Sequence, residues 1–328
     1  MKKILLLTAV VLLFLFFWPS FFSHPSSGAP TVPFTIRPSA TVEEVAKTLK
    51  SAGVFACQSC YLAYARFDSA ARHPKPGIYQ IKQDTNARAL ARMFAIGPAR
   101  AEVEIKIIEG WSLKDEAEAL KEYGVDPTVF FNESKVDSLK SEYDFLKQLA
   151  DGTTLEGYLF PDTYRVWKDQ LPQSLIRKQL EAFSRHATPL IKDANQQGRT
   201  LHDVVTLASI IEKEVAKPED RKLVAGIFWN RLREKMPLQS DATVNYVTHA
   251  SRARPTLSDL ATASPYNTYQ QKGLPPGPIS NPGADAIEAA LHPPRTAYRY
   301  FLTDAHGKTY VAKTFEEHIR NRWRAFGP

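Results

Sequence analysis

The chain has 328 residues, of which 44% are hydrophobic and 23% charged, and this ordinary globular composition leaves room for two domains. The net charge of +7 and the pI of about 9.2 suit an anionic partner, whether nucleic acid, a lipid surface or an acidic polymer, without choosing among them. Two cysteines are too few for a structural zinc site, so the composition gives no reason to expect a metal or a cofactor.

The N-terminus carries two lysines, followed by an almost wholly apolar run over residues 4–22. About 20 apolar residues span a bilayer, so we predict a single-pass anchor at residues 1–22 in the cytoplasmic (inner) membrane, with the rest of the chain on the extracytoplasmic or periplasmic side. A cleaved signal peptide is the alternative, because the sequence SGA before Pro30 resembles a cleavage site. The proline disfavours cleavage, and residues 23–32 are then a linker.

Residues 33–106 are predicted to form a small module with helices packed on a sheet. Its elements follow the order βααβαβ, with strands at 34–36, 77–81 and 103–108 and helices at 40–52, 57–68 and 86–95. Thr41 and Glu44 have the spacing of a capping box that starts the first helix. In size and order the module is similar to a LysM-like glycan-binding module.

The two cysteines, Cys57 and Cys60, are separated by only two residues. In an oxidising compartment they could form a local disulfide, and closing so short a loop would stabilise the module only modestly. A redox-active pair is the alternative, but no thioredoxin-like βαβ pattern surrounds it.

Residues 107–328 are predicted to form a larger catalytic domain of mixed α+β class, with a cleft lined by Pro/Gly loops. Its elements are helices at 113–123, 175–195, 204–215, 223–234, 285–291 and 316–323 and a hairpin of strands at 300–303 and 310–312. The segment GLPPGPISNPG at residues 273–283 cannot form a helix or a regular sheet. Loops of this kind, fixed by proline between helices, often shape a cleft.

The helix predicted at residues 204–215 carries two carboxylates near its end. At about 100° per residue, Glu214 lies beside the apolar stripe that includes Leu207 and Ile211, whereas Glu212 projects from the opposite edge. Apolar surroundings raise the pKa of a carboxyl, as a general acid requires near neutral pH. From this helix alone, a solvated surface charge is the alternative for either glutamate, and Lys213 favours it.

Five motifs follow one another from residue 156 onwards: EGYLFPDTY, LASIIEKE, NRLREKMPLQSDATVNY, SPYNTY and GLPPGPISNPG. In content and order they closely resemble the MltG (YceG-like) family of endolytic murein transglycosylases. The resemblance extends from about residue 107 to the C-terminus. The anchor and the small module also fit the family layout, whereas the CQSC pair is not part of the pattern.

The resemblance implies cleavage of the MurNAc-β-1,4-GlcNAc bond within peptidoglycan strands, leaving 1,6-anhydro-MurNAc ends and terminating the elongation of nascent strands. A single carboxyl can first protonate the leaving oxygen and then take the proton of the 6-hydroxyl. The resemblance implies Glu214 as this catalytic residue, with Glu212 as the fallback. It also implies association with penicillin-binding proteins and other wall synthases.

Further residues are expected to line the cleft, to orient Glu214 or the sugar, or to stack on pyranose rings. They are Gln239, Ser240, Asp241, Thr243, Tyr246, Asn267 and Tyr269. Glu156 is also placed at the substrate site, where it would anchor the cleft through a hydrogen bond or stabilise developing positive charge; a structural ion pair is the alternative. The nearest chemical alternative is a conventional hydrolase that uses Glu214 with Asp241. A non-catalytic peptidoglycan-binding scaffold of the wall synthesis machinery is the alternative of another class. A nucleic-acid binder is disfavoured by the predicted anchor and by the lack of a nucleic-acid motif.

Overall fold

The computed structural model describes residues 28–55, 57–83, 85–98, 101–250 and 254–327. The chain divides into two compact units, Met1–Ala101 and Glu102–Pro328, and each unit has its own hydrophobic core. The predicted anchor lies outside the described residues. Among the residues that are described, no helix combines the length and the apolar character needed to cross a bilayer.

The first unit is a two-stranded antiparallel sheet packed against helices. Its elements are β1 (Thr31–Ile36), α1 (Val42–Ser51), α2 (Gln58–Ala65), α3 (Ser69–Arg72), β2 (Gly77–Lys82) and α4 (Ala87–Ile96). Phe34 of β1 pairs with Tyr79 of β2, and both rings contact Phe94 of α4. The capping box of Thr41 and Glu44 at the start of α1 is confirmed.

Cys57 and Cys60 form a disulfide at the start of α2. Cys57 is also the N-cap of this helix, because its sulfur accepts a hydrogen bond from the Cys60 N–H at 3.2 Å. The predicted local disulfide is therefore present, and it fixes the first turn of a helix.

The third strand predicted for the small module belongs to the second unit. Strand β3 (Glu102–Lys106) pairs antiparallel with β4 (Thr163–Trp167), so that Ile105 lies opposite Tyr164. The division falls after residue 101 rather than after residue 106, which corrects the predicted boundary. The alternation of β3 was visible in the sequence, but its distant pairing partner was not.

The remaining elements of the second unit are mostly helices. They are α5 (Leu113–Leu120), α6 (Pro127–Glu133), α7 (Gln173–Gln196), α8 (Leu201–Glu214), α9 (Pro218–Arg233), α10 (Asp241–Thr248), α11 (Leu257–Leu260), α12 (Ala284–Leu291), β5 (Tyr300–Thr303), β6 (Thr309–Ala312) and α13 (Phe315–Phe326), with short 3-10 turns at Lys121–Tyr123, Val136–Ser138, Asp144–Leu146 and Lys168–Gln170. Strands β5 and β6 form the predicted antiparallel hairpin. The mixed α+β class is confirmed.

Helix α8 is the centre of the second unit's core. It contacts α7, α9, α10 and α12, and every residue from Val204 to Ile211 is buried. Because neighbouring helices cover this part of α8, it lacks the exposed polar face that the sequence predicted for an amphipathic helix. It begins at Leu201, earlier than predicted, because Thr200 and Asp203 form a capping box. After Ile211 the last turn of α8 leaves the core, and this turn carries both glutamates.

Candidate active site

Glu214 is the last residue of α8 and lines a cavity of about 420 Å³. Its Oε1 accepts a hydrogen bond from the Ser240 hydroxyl at 2.5 Å and a longer one from the Ala242 N–H at 3.4 Å. The side chain is half-buried, and burial raises its pKa; the nearby Asp241 carboxylate adds to this rise, and the two hydrogen bonds oppose it. The result is a carboxyl that retains its proton more readily than a surface glutamate and adjoins open space.

Glu212 does not line this cavity, and its carboxyl contacts neighbouring elements of the protein. Its side chain is 5% exposed and forms a 2.6 Å ion pair with Arg221 of α9. The same carboxyl accepts a hydrogen bond from the Gly283 N–H at 3.1 Å. Glu212 therefore ties the end of α8 to α9 and to the start of α12, and Glu214 is the better candidate for the acid.

The turn between α9 and α10 holds Ser240 against Glu214. The Gln239 backbone has a φ of 51°, and its N–H donates to the Thr268 carbonyl at 3.0 Å. The Ser240 N–H donates to the hydroxyl of the same threonine at 3.0 Å. Arg231 of α9 donates to the Gln239 side chain at 3.1 Å. These bonds position the serine hydroxyl before any substrate arrives, so it needs little reorganisation.

Gln239, Ser240, Asp241 and Tyr269 line the same cavity as Glu214, as the sequence predicted for cleft residues. Tyr269 donates its hydroxyl proton to Asp241 at 2.5 Å. Further lining residues come from α9, the β5–β6 hairpin and α13, and the sequence did not predict them. They include Arg231, Tyr300, Phe315 and His318. The only sequence signal for them was the position of Arg231 just before the MPLQSDATV segment.

The sequence matches the YceG-like family over residues 34–324. The chain belongs to this family. An endolytic murein transglycosylase of Bacillus subtilis (strain 168) is 32% identical over 304 aligned residues, with 88% of this chain and 83% of that protein covered. An endolytic murein transglycosylase of Streptococcus pneumoniae (serotype 2, strain D39) is 31% identical over 307 aligned residues, but the chain spans only 56% of its length. The crystal structure of a YceG-like protein from Listeria monocytogenes has a TM-score of 0.62 and 29% identity, covering 90% of this chain and 100% of that one.

In this YceG-like chain, Asn281 joins two of the sequence motifs. Its Oδ1 accepts hydrogen bonds from the N–H groups of Gly157 at 2.8 Å and Leu159 at 3.2 Å. Its Nδ2 donates to Glu116 at 2.8 Å. Gly157 has a φ of 86°, and an added Cβ would lie 2.4 Å from Pro278, so only glycine fits. The EGYLFPDTY and GLPPGPISNPG segments therefore pack together as one buried structure.

Glu156 is 6% exposed, and of the roles predicted for it the structure forms hydrogen bonds within the protein rather than a surface placed for contact with substrate. Both of its oxygens accept from the Leu113 N–H at the start of α5, at 3.1 and 3.2 Å, and the Tyr246 hydroxyl donates to it at 3.4 Å. Burial raises the pKa of Glu156 to about 8, and burial likewise raises that of the neighbouring Glu116 to about 8. Glu156 thus caps a helix and supports Tyr246, whose half-buried ring stays a candidate for contact with sugar.

Thr243 and Asn267 are fully buried. The Asn267 amide donates to two backbone carbonyls at 3.0 and 2.9 Å and accepts from the Tyr269 N–H at 3.1 Å. Thr243 donates its hydroxyl proton to the Ser240 carbonyl at 2.8 Å. Asn267 therefore holds a loop instead of bonding to a sugar, which corrects its predicted role. Thr243 is buried rather than lining the cleft, and it holds the Ser240 backbone beside Glu214. Within the described ranges, no group of three or more His, Cys, Asp or Glu side chains is placed to hold a metal ion.

Proposed function

We propose that this chain is an endolytic murein transglycosylase, which cleaves the MurNAc-β-1,4-GlcNAc bond within peptidoglycan strands and leaves 1,6-anhydro-MurNAc ends. The named relatives from Bacillus and Streptococcus support this activity. The observation that carries the proposal is the Glu214 carboxyl, whose pKa burial raises, which Ser240 holds in place, and which adjoins a cavity. A general acid that works near neutral pH requires this environment.

One carboxyl performs both proton transfers in this reaction. Glu214 first gives its proton to the bridging oxygen, the bond between that oxygen and C1 of MurNAc breaks, and positive charge develops on the ring. The 6-hydroxyl oxygen then bonds to C1, and its proton returns to Glu214. No water is consumed, so the second carboxyl of an ordinary glycosidase is not needed. The Asp241 carboxylate, which lines the same cavity, favours the developing positive charge.

Glu214→Gln should abolish cleavage, because the amide has no acidic proton to donate. The rate is expected to fall by at least about 100-fold, while the melting temperature stays near the wild-type value. The measurement is mass spectrometry of products from uncrosslinked glycan strands. Glu219→Gln, which alters an exposed glutamate of α9, is the matched control and should retain activity. A folded Glu214→Gln protein that still cleaves would show that Glu214 is not the acid.

The same products separate the rival chemistries. The rival is a hydrolase that uses Glu214 as its acid and Asp241 as its second carboxyl. The observation in its favour is that these two carboxyls line the same cavity. Hydrolysis gives reducing MurNAc ends, whereas transglycosylation gives anhydro ends. A non-catalytic scaffold would give neither product.

The proposal extends to the setting of the enzyme. Residues 1–22 anchor it in the cytoplasmic membrane with the second unit on the extracytoplasmic side, and the first unit is a LysM-like glycan-binding module. Its cleavage terminates nascent strands in association with penicillin-binding proteins and other wall synthases. The antiparallel pairing of β1 with β2 around intervening helices supports the module assignment. Deleting residues 1–22 should move the protein from the membrane fraction to the soluble fraction; retention in the membrane fraction would contradict the anchor.

A further inference from the structure

Arg231 places a buried positive charge in the wall of the cavity. The residue is 7% exposed. One terminal nitrogen donates to the Leu238 carbonyl at 2.6 Å, and the other donates to the Gln239 side chain at 3.1 Å. The buried Nε has no hydrogen-bond partner, and no carboxylate among the described residues forms an ion pair with this guanidinium. Of its five N–H donors, most are thus left without an acceptor from the protein.

An unpaired buried cation is unfavourable, because removing it from water costs several kcal/mol. Burial lowers the pKa of Arg231, but a guanidinium keeps its charge throughout the working range of a protein. The groups that bind it here are a carbonyl and an amide oxygen, and neither neutralises the charge. The cavity wall therefore carries a positive charge that no protein group neutralises and that an anionic group of a ligand would neutralise.

The surroundings of Arg231 are aromatic rather than acidic. Its guanidinium carbon lies 5.3 Å from the centre of the Tyr300 ring, and His318 stacks on the same ring at 5.4 Å. Burial, and then the charges of Arg231 and Arg322, lower the pKa of His318 and so favour the neutral imidazole. Its Nδ1 is also buried without a partner. These side chains combine flat apolar faces with unused polar atoms, which suits a pyranose ring that carries a polar substituent.

The two acidic groups of the cavity already have other partners. Asp241 accepts the Tyr269 hydroxyl, and Glu214 accepts the Ser240 hydroxyl. The cavity therefore has an acidic part, formed by Asp241 and Glu214, and a basic part at Arg231. A ligand with one acidic substituent would be oriented by this difference.

We propose that the cavity around Arg231 is a subsite for the muramoyl sugar of the strand and binds its acidic substituent. This inference rests on the proposed function. In the glycan the two sugars alternate, and only the muramoyl sugar carries carboxylates, either on its lactyl group or on the attached stem peptide. Arg231 thus tells the two sugars apart and places the muramoyl side of the bond at Glu214. A planar guanidinium can bind a carboxylate through two parallel hydrogen bonds.

The rival role for Arg231 is purely structural, since it also supports the turn at Gln239. Loss of activity on mutation would therefore decide nothing, because either role predicts it. The two roles differ in one respect. A support for the turn acts equally on every ligand, whereas a subsite for an acid acts only on ligands that carry one.

The test is direct binding to the full chain, measured by calorimetry or NMR titration. The probes are N-acetylmuramic acid, its lactyl amide, a muramoyl dipeptide with a free peptide carboxylate, and N-acetylglucosamine. At least one acid-bearing probe is expected to bind about ten-fold more tightly than the neutral ones. Binding of N-acetylmuramic acid identifies the lactyl group as the source, and preferential binding of the dipeptide identifies the stem peptide. Equal binding of acidic and neutral probes to the wild-type chain overturns the proposal without any variant.

Arg231→Gln should remove the preference for acidic probes, and Arg231→Lys should retain part of it, because the charge remains without the planar fork. Arg299→Gln is the matched control, since Arg299 pairs with Glu234 at the surface and should leave the preference intact. A preference that persists in folded Arg231→Gln protein overturns the proposal. Anhydro ends produced by the wild-type enzyme in parallel report on the proposed function separately, so the subsite can fail while the activity stands.

Discussion

At the scale of single residues, the hydrogen bond from the Ser240 hydroxyl lowers the pKa of the Glu214 carboxyl. Glu214 must be protonated to act, so the rate falls as the pH rises through its pKa. Ser240 stabilises the charged carboxylate and lowers that pKa against the effect of burial. Ser240→Ala should therefore raise the pKa and move the alkaline limb of the pH profile of kcat/KM to higher pH, even if the maximal rate falls. Ser134→Ala, at another buried serine that donates to a backbone carbonyl, should leave the limb in place; a shift to lower pH would contradict this account.

Substitution by glutamine should lower the stability of the protein at Glu212 and its activity at Glu214. Glu212→Gln leaves the charge of Arg221, 7% exposed, without its ionic partner, and breaking a buried pair costs about 3–5 kcal/mol. Glu214→Gln removes a carboxyl whose charged form burial already disfavours, so stability should change little while activity is lost. Denaturant unfolding of both variants measures the difference. Equal losses of stability would contradict these separate roles.

At the scale of elements, Asn281 holds the buried structure beside α8 together. Asn281→Ala would leave the N–H groups of Gly157 and Leu159 and the carboxyl of Glu116 without this partner. Each unsatisfied buried group costs about 1–3 kcal/mol, so we expect a loss of at least about 3 kcal/mol in the free energy of unfolding. Asn321→Ala, at a buried asparagine that donates one bond to a backbone carbonyl, should cost only about 1 kcal/mol. Similar losses for the two variants would refute the assignment.

The elements that the sequence predicted well were those with a local signal. A capping box marked the start of α1 at Thr41, and the Pro/Gly-rich segment at residues 273–283 correctly predicted a loop. This loop packs against the EGYLFPDTY segment, and none of its residues lines the cavity at Glu214, which corrects the predicted Pro/Gly lining of the cleft. Strand β4 and helix α10 were missed, because β4 is defined by pairing with a distant strand and α10 is a single short helix containing β-branched residues. Helical periodicity favoured Glu214 over Glu212 as the acid, but it gave no sign that Glu212 pairs with Arg221 of α9. It could not separate Asn267 from a sugar-binding asparagine, because the partners of an amide depend on tertiary contacts.

At the scale of the whole molecule, each unit has its own hydrophobic core. We therefore expect reduction of the disulfide to change the thermal stability of the first unit and not that of the second. The disulfide joins cysteines three positions apart, and a loop that short contributes about 2 kcal/mol. A reductant should therefore lower the thermal stability of the first unit alone. The tryptophans of the second unit are Trp111, Trp167, Trp229 and Trp323, and Trp18 lies outside the described residues.

This distribution gives the measurement for the reduction experiment. In the chain that lacks residues 1–22, and therefore Trp18, tryptophan fluorescence follows the melting of the second unit, whereas far-ultraviolet circular dichroism follows both. Reductant should shift part of the dichroism transition and leave the fluorescence midpoint unchanged. A fluorescence midpoint that moves with reductant would show that the stability of the units is coupled.

The place of Glu214 on α8 determines which side of the catalytic contact can adjust. The core clamps this helix from Val204 to Ile211, and the backbone is already extended at Val215, with φ of −129° and ψ of 105°. The acid thus lies one residue before extended chain, at the end of a helix that its neighbours hold. A strand that enters the cavity meets a donor with a fixed backbone, so the glycosidic oxygen must come to the acid rather than the acid to the oxygen.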